Sequence, residues 1–230
     1  MLYDRLSACR RFLRLYACKL LANSSARNLS LRISSESSAK MLLVFRRTGD
    51  RRYAVVAKRA EMPDIEMDPA PGYSELIPHD LMHLVVEAKL GLARGIFGQL
   101  AAGAGTFRLR VTSDESSRNV NRLRKKLKKR GDKVMRQGRD DCLESERAVH
   151  ICWQAWLGRS RSNEQRKTAR IVSNNIRGAA SSKENSLLNE RTMNEIFVHL
   201  DELSSCWSEL KVGQSMTVRW PDLKVITGVS

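Results

Sequence analysis

The stretch PHDLMHLVVEAKLGL, residues 78–92, predicts the element around which the chain folds. Proline suits the first turn of a helix, an acid near the start complements the positive helix N-terminus, and strong helix formers follow. Apolar residues form one face and occupy much of the remaining surface, which indicates a helix enclosed by the rest of the protein. We therefore expect a central, mostly apolar helix from Pro78 to about Leu92.

Two histidines and two acids lie in this apolar helix: His79, Asp80, His83 and Glu87. Since a step of four residues advances only about 40° around a helix, the two histidines and Glu87 lie along one stripe, with Asp80 beside Glu87. Two histidines at this spacing can present two nitrogens to one zinc ion, and an acid directly after the first can orient or deprotonate bound water. The sequence predicts a divalent metal site, with zinc the expected ion. Its predicted ligands are His79, His83 and Glu87, and its candidate catalytic residues are Asp80 and Glu87.

The third ligand stays open, because Glu87 lies on the same helix as both histidines. His150, His199, Cys152 or a remote carboxylate could complete the site. A structural role is the alternative for the whole group, since histidine–carboxylate pairs on helices often serve only packing or capping. If the protein binds a metal and is an enzyme, the pattern predicts a zincin-like, metal-dependent hydrolase.

Strands are predicted on both sides of this helix in the sequence. MLLVF at 41–45 and YAVVA at 53–57 are typical of two strands joined by a turn around Gly49-Asp50, and Ser215–Trp220 is a late strand that could pair with this hairpin. Prolines between residues 63 and 71 predict an irregular loop, because proline lacks the N–H that a sheet needs.

Two further helices are predicted, over Asp141–Leu157 and Asn194–Leu210, where apolar residues follow helical spacing. The glycines that follow the central helix form neither a GxGxxG motif nor a P-loop, and are expected to permit close helix packing and a turn. The predicted fold class is therefore α+β, with a small antiparallel sheet packed against three or four helices.

Residues 1–40 differ from the rest, with six Arg and two Lys against two acids, and many serines. Three interpretations fit this basic appendage: a mitochondrial-type presequence, a flexible arm, or sequence upstream of a true start at Met41. We favour the last, because Met41 opens directly onto a predicted strand. Residues 41–230 would then be a single domain with flexible segments near 114–140 and 158–187.

The formal charge of +16 favours a polyanion or an acidic protein as partner. Residues 118–139 contain eleven basic residues and one acid, Asp132, which predicts an exposed helix or a linker. The alternative function is therefore a non-enzymatic basic binding or regulatory protein that contacts nucleic acid or an acidic partner. The candidate contact residues are Arg122, Arg124, Lys125, Lys126, Lys128, Lys129 and Arg130.

Composition narrows the class of protein. No apolar run reaches the roughly 18 residues of a membrane span, so a soluble chain is expected. The five cysteines are odd in number and contain no CxxC pair, which favours neither a disulfide framework nor a cysteine zinc knuckle. We expect a cytoplasmic protein, or a mitochondrial one if residues 1–40 are a presequence.

From Met41 onward the chain resembles a group of uncharacterised, mainly bacterial proteins. The resemblance rests on RTGDRRY at 47–53, PHDLxHxVVE at 78–87, GIFGQLAAG at 95–103 and LDEL at 200–203. It covers most of the body and implies no activity.

The HDxxH core is also similar to the zinc-binding motif of a ubiquinone-biosynthesis protein family. That family carries a further glutamate twelve residues after its second histidine, where this chain has Gly95. The resemblance therefore implies zinc-ligand chemistry for His79, Asp80 and His83 only.

Overall fold

The computed structural model of the protein describes residues 41–60, 62–103, 107–110, 117–137, 139–159 and 188–226. The predicted appendage and most of the second predicted flexible segment lie outside these ranges. The described residues form one six-stranded antiparallel sheet and five helices, which confirms the predicted α+β class.

The sheet contains the strands β1 (Met41–Gly49), β2 (Arg52–Arg59), β3 (Met62–Ala70), β4 (Arg108–Leu109), β5 (Ser215–Trp220) and β6 (Val225–Ile226). Their order is β4-β3-β2-β1-β5-β6, and neighbouring strands are antiparallel. The predicted hairpin is β1 with β2, and Phe45 lies opposite Val55. The late strand β5 pairs with β1 as expected, with Met216 on the other side of Phe45.

The prediction of an irregular loop around the prolines is wrong for residues 62–70, which form strand β3. Pro63 and Pro69 both lie where the pairing of β3 with β2 shifts register, so their missing N–H groups do not interrupt a regular ladder. On the other side, β4 pairs only with Ile65 and Glu66. Neither proline therefore faces a strand that needs its N–H.

Five helices complete the described fold: α1 (His79–Leu90), α2 (Ile96–Ala101), α3 (Ser117–Gln137), α4 (Arg139–Arg159) and α5 (Glu190–Glu209). Helices α1, α4 and α5 are the three predicted ones, each within a few residues of its expected bounds. The basic segment forms α3, which is the helical alternative of the two considered for it. Among the described residues, no helix combines the length and apolar character that crossing a membrane requires.

Helix α1 is the central helix of the core and contacts both α4 and α5. The five apolar side chains between residues 81 and 86 are all 0% exposed. They belong to the same hydrophobic cluster as Phe45 of β1 and Val218 of β5. Because burial of apolar surface contributes about 25 cal/mol per Å², this packing fixes α1, and with it the polar stripe, against the sheet and two helices.

Candidate metal centre

The loop before α1 holds the first residue of that helix. The backbone N–H of His79 donates to the carbonyl oxygen of Gly72 at 3.1 Å. Gly72 has a φ of +75°, and a Cβ there would lie 2.6 Å from the Cβ of His79. Glycine is therefore needed at this position, both for the left-handed backbone and for the close approach to the histidine.

His79 and His83 lie side by side on α1. Their ring centroids are 4.5 Å apart, and the ring planes make an angle of 72°. This contact follows from their spacing, since residues four apart are neighbours on a helix surface. His83 is fully buried and His79 partly buried. The two imidazoles therefore adjoin one another at the edge of the core.

Helix α4 brings a carboxylate to these imidazoles. Oε2 of Glu146 lies 3.7 Å from Nε2 of His83, and one ligand atom each from His79, His83 and Glu146 lie within 4.8 Å of one another. Two ligands of a tetrahedral zinc ion, each at roughly 2.0–2.1 Å, are about 3.3 Å apart. The separations between the ligand atoms exceed that spacing by at most about 1.5 Å, so together the three residues could hold a metal ion.

A hydrogen-bond chain orients the His83 ring. Ser145 Oγ lies 2.8 Å from His83 Nδ1 and donates to Glu87 Oε1, also at 2.8 Å. A serine hydroxyl has one hydrogen, and that of Ser145 is donated to Glu87. Nδ1 of His83 therefore carries a proton that it donates to Ser145, and in the neutral ring the lone pair is on Nε2.

Nε2 of His83 is a buried polar atom without a hydrogen-bond partner in the described part of the chain. Such an atom is unfavourable in a protein interior, because the hydration it gives up is not replaced. Histidines that bind metals commonly donate their other ring N–H to an oxygen, which fixes the ring and leaves the second nitrogen for the ion. His83 has this arrangement.

Glu87 does not join the group formed by the histidines and Glu146. Its carboxylate accepts hydrogen bonds from the backbone N–H groups of Ile96, at 2.8 Å, and Phe97, at 2.9 Å, in addition to that from Ser145. The two N–H groups belong to the first turn of α2, where a carboxylate complements the positive end of the helix. Glu87 thus joins α1, α2 and α4, and Glu146 replaces it as the candidate third ligand.

The two histidines differ in how readily they accept a proton. Burial, together with the nearby His83 and His150, lowers the pKa of His79 to about 3. Burial also disfavours the charged form of His83, but Glu87, Glu146 and Asp80 outweigh it, so the pKa of His83 is raised. At neutral pH His79 therefore offers a free lone pair, whereas at His83 a proton competes with a metal ion.

Asp80 is buried beside the stripe that contains His79 and His83, and its carboxyl group is hydrogen-bonded to Tyr53 of β2. Its Oδ2 lies 2.6 Å from Oη of Tyr53, which also lies 2.6 Å from the carbonyl oxygen of Pro71. Burial raises the pKa of Asp80 to about 6, against the opposing effects of the Tyr53 hydrogen bond and of His83. A carboxyl group with such a pKa can hold or release a proton near neutral pH.

The other candidate ligands lie in different surroundings. His150 is on α4, four residues after Glu146, and is close enough to His79 to influence its pKa. His199 lies on α5, with Nδ1 2.9 Å from the carbonyl oxygen of Glu195. Cys152 is buried in the hydrophobic core. Of the choices that the sequence left open for the third ligand, the structure supports the remote carboxylate, which is Glu146.

Sequence reasoning did not single out Glu146, although one signal was present. Glu146 and His150 are four residues apart within a predicted helix, which is the same spacing as His79 and His83. Two helices that each carry an i, i+4 pair of metal-binding residue types can bring them together when they pack. Only the packing of α4 on α1 shows that this happens for Glu146.

Gly95→Ala is expected to lower the free energy of unfolding by about 2–4 kcal/mol, because a Cβ there would overlap the Glu87 carboxylate. It would lie 2.5 Å from Cδ of Glu87 and under 3 Å from both of its oxygens. Gly49→Ala is the matched control, since its Cβ would meet only Arg52 Cβ at 3.4 Å. Urea unfolding of both variants measures the difference, and equal small losses would contradict this description of Glu87.

Comparison of the chain with protein-family models, with curated proteins and with solved structures finds no match. The chemistry of the site must therefore be inferred from its own residues. These are two imidazoles, a partly exposed carboxylate and a buried acid, arranged around the first turns of α1.

Proposed function

We propose that the protein binds one divalent metal ion, with zinc the expected ion, through His79, His83 and Glu146. The observation that carries the proposal is the state of His83. Its Nδ1 is fixed by Ser145, and its buried Nε2 lies towards Glu146 without a hydrogen-bond partner among the described residues. A metal ion would supply the missing partner of this nitrogen.

The donor set supports zinc among the common divalent ions. Imidazole nitrogens and a carboxylate oxygen suit zinc, whereas calcium and magnesium prefer oxygen ligands alone. The group contains no cysteine, so a soft, thiolate-rich site is not proposed.

Among the residues that the structure describes, the group offers three ligands, and this number favours a reactive site over a purely structural one. Structural zinc sites are closed by four protein ligands, whereas catalytic sites use three and leave a position for water or substrate. The side chain of Glu146 is 22% exposed, so the group reaches the protein surface on its α4 side. We therefore propose a metal-dependent hydrolase as the function.

When bound, zinc would supply Lewis acidity towards a substrate carbonyl or phosphoryl oxygen. The residues around it have separate roles in this proposal. Ser145 and Glu87 hold the His83 ring in place, and Asp80 is the buried acid that can exchange a proton near neutral pH. Tyr53 positions Asp80 through the 2.6 Å contact between Oη and Oδ2.

Two measurements on the purified, untagged full chain test this function in sequence. Elemental analysis first counts zinc, iron, manganese and nickel per chain, and we expect about one zinc. Ester, phosphoester and peptide substrates are then offered to the zinc-loaded protein and to protein stripped by a chelator. We expect hydrolysis that is lost on stripping and restored by zinc.

The outcomes separate binding from catalysis. A folded protein that takes up no divalent metal, even when zinc is added, would overturn the proposal as a whole. Stoichiometric zinc without hydrolysis of any substrate class would retain the metal site and remove the hydrolase.

A further inference from the structure

Helix α3 presents a dense basic surface that the proposed metal site does not use. All ten of its basic side chains are exposed, and its one acid, Asp132, is exposed as well. None of the ten forms an ion pair with an acid anywhere in the described ranges. The ten residues are Arg118, Arg122, Arg124, Lys125, Lys126, Lys128, Lys129, Arg130, Lys133 and Arg136.

The helix has two distinct sides. Val120 and Gly131 are buried, Leu123, Leu127 and Val134 are partly buried, and Leu127 packs against the core. At 100° per residue these five positions form one stripe. The basic residues that recur opposite this stripe form what we call the outer face of α3. They are Arg118, Arg122, Lys125, Lys126, Lys129, Lys133 and Arg136.

The residues predicted to contact nucleic acid divide between the outer face and its flanks. Four of them belong to the outer face, while Arg124 and Lys128 lie on one flank. Arg130 lies on the other flank, with its Nε 2.9 Å from where a Cβ on Gly103 would lie. Sequence reasoning missed the outer-face residues Arg118, Lys133 and Arg136 because it followed the run of charges and not the helical period.

Charge repulsion makes this surface unfavourable without an anionic partner. Like charges three or four residues apart on a helix destabilise it, and Arg122, Lys125, Lys129, Lys133 and Arg136 form a continuous series at this spacing. The single acid of the helix offers little compensation. A line of phosphates along the outer face would relieve the repulsion.

We propose that the outer face of α3 binds the phosphates of duplex DNA without sequence specificity. The helix has 21 residues, which at 1.5 Å per residue is about 31 Å, close to one turn of B-form DNA. The major groove of B-form DNA admits an α-helix, and its phosphates flank the groove on both sides. The seven cations on the outer face match the negative charge of the phosphates, and the length of the helix matches one turn of the duplex.

The side chains of the outer face favour duplex DNA over other polyanions. Single strands are bound through aromatic side chains on which bases stack, and α3 contains none. Membrane surfaces are bound by helices with exposed apolar residues, whereas the apolar stripe of α3 faces inward. The major groove of RNA duplexes is too narrow and deep for a helix of this kind.

Fluorescence anisotropy of a labelled 20-base-pair duplex with the full chain tests the proposal. Binding should weaken by about a thousandfold between 50 and 200 mM salt, as expected for five or six neutralised phosphates. The variant Lys125→Glu/Lys129→Glu/Lys133→Glu should bind at least about 100-fold more weakly at 100 mM salt. Its salt dependence should also correspond to about three fewer phosphate contacts.

A second triple variant with the same change in net charge is the control. Lys58→Glu/Lys211→Glu/Lys224→Glu alters three exposed lysines outside α3, and we expect it to lose less than about fivefold. Circular dichroism verifies that both variants are folded. Equal losses in the two variants would overturn the proposal, because net charge alone would then explain the binding.

Three further probes decide the class of partner. These are a 20-base-pair RNA duplex, a single-stranded DNA of the same length, and vesicles of anionic and neutral lipids. We expect each to bind more weakly than the DNA duplex and to respond less to the α3 variant. Equal or tighter α3-dependent binding of any of them would overturn the assignment to duplex DNA.

Discussion

Glu146→Ala should weaken zinc binding by about a thousandfold and leave the metal-free protein folded. Zinc sites in small domains contribute on the order of 10–16 kcal/mol, so loss of one ligand in three corresponds to about 4 kcal/mol. The side chain of Glu146 is partly exposed, and its contact with His83 spans 3.7 Å, so its removal disturbs little packing. Competition for zinc against a chromophoric chelator measures the affinity, and thermal unfolding verifies the fold.

The matched control is Asp140→Ala, which removes an exposed carboxylate from the same helix. It should leave the zinc affinity within about twofold, because the residue lies outside the group of three ligands. Equal affinities in the wild type, Glu146→Ala and Asp140→Ala would exclude Glu146 as a ligand.

Glu87→Ala is expected to lower the free energy of unfolding by about 3–5 kcal/mol. The carboxylate is fully buried and accepts hydrogen bonds from Ile96 N–H, Phe97 N–H and the Ser145 hydroxyl. Alanine would leave these three donors unsatisfied in the core and would open a cavity. Urea unfolding of the metal-free protein gives the difference.

Glu202→Ala provides the control, because this glutamate is exposed on α5 and should cost less than about 0.5 kcal/mol. Should Glu87→Ala fail to fold, Glu87→Gln keeps the shape but cannot accept all three hydrogen bonds, and we expect a loss of about 1–3 kcal/mol. A loss below 0.5 kcal/mol in both Glu87 variants would contradict the structural role assigned to this carboxylate.

Glu87→Gln also separates orientation of a ligand from ligation itself. Residues that orient a metal-binding histidine typically change affinity by about 10–100-fold when altered. Zinc should therefore bind Glu87→Gln more weakly than the wild type but more tightly than Glu146→Ala. The opposite order would return Glu87 to the set of ligands.

The parts of the fold that follow from local periodicity could be predicted from the sequence. The apolar helix α1, the hairpin of β1 and β2, and strand β5 each carry their pattern within a few consecutive residues. Strand β3 was missed because its prolines indicate a loop, and they are tolerated only at register shifts that depend on how β2 pairs with it. The sequence of one strand does not show where such a register shift will occur.

The candidate site likewise has a part that the sequence predicts and a part that depends on tertiary packing. The contact between His79 and His83 follows from one helix, so their spacing sufficed to pair them. Glu146 comes from α4, and its approach to the two histidines depends on tertiary packing. The spacing of residues within one helix does not predict such packing. The structural role of Glu87 could not be predicted for a related reason. The chain has to turn back after α1 before the backbone N–H groups of Ile96 and Phe97 can donate to its carboxylate.

The central claim is that His79, His83 and Glu146 bind one zinc ion, and X-ray absorption at the zinc edge of the zinc-loaded full chain tests it most directly. We expect a first shell of nitrogen and oxygen at roughly 2.0–2.1 Å with the scattering pattern of two imidazoles, and one imidazole fewer in His83→Ala. Sulfur at about 2.3 Å, or a spectrum that His83→Ala leaves unchanged, would contradict the claim.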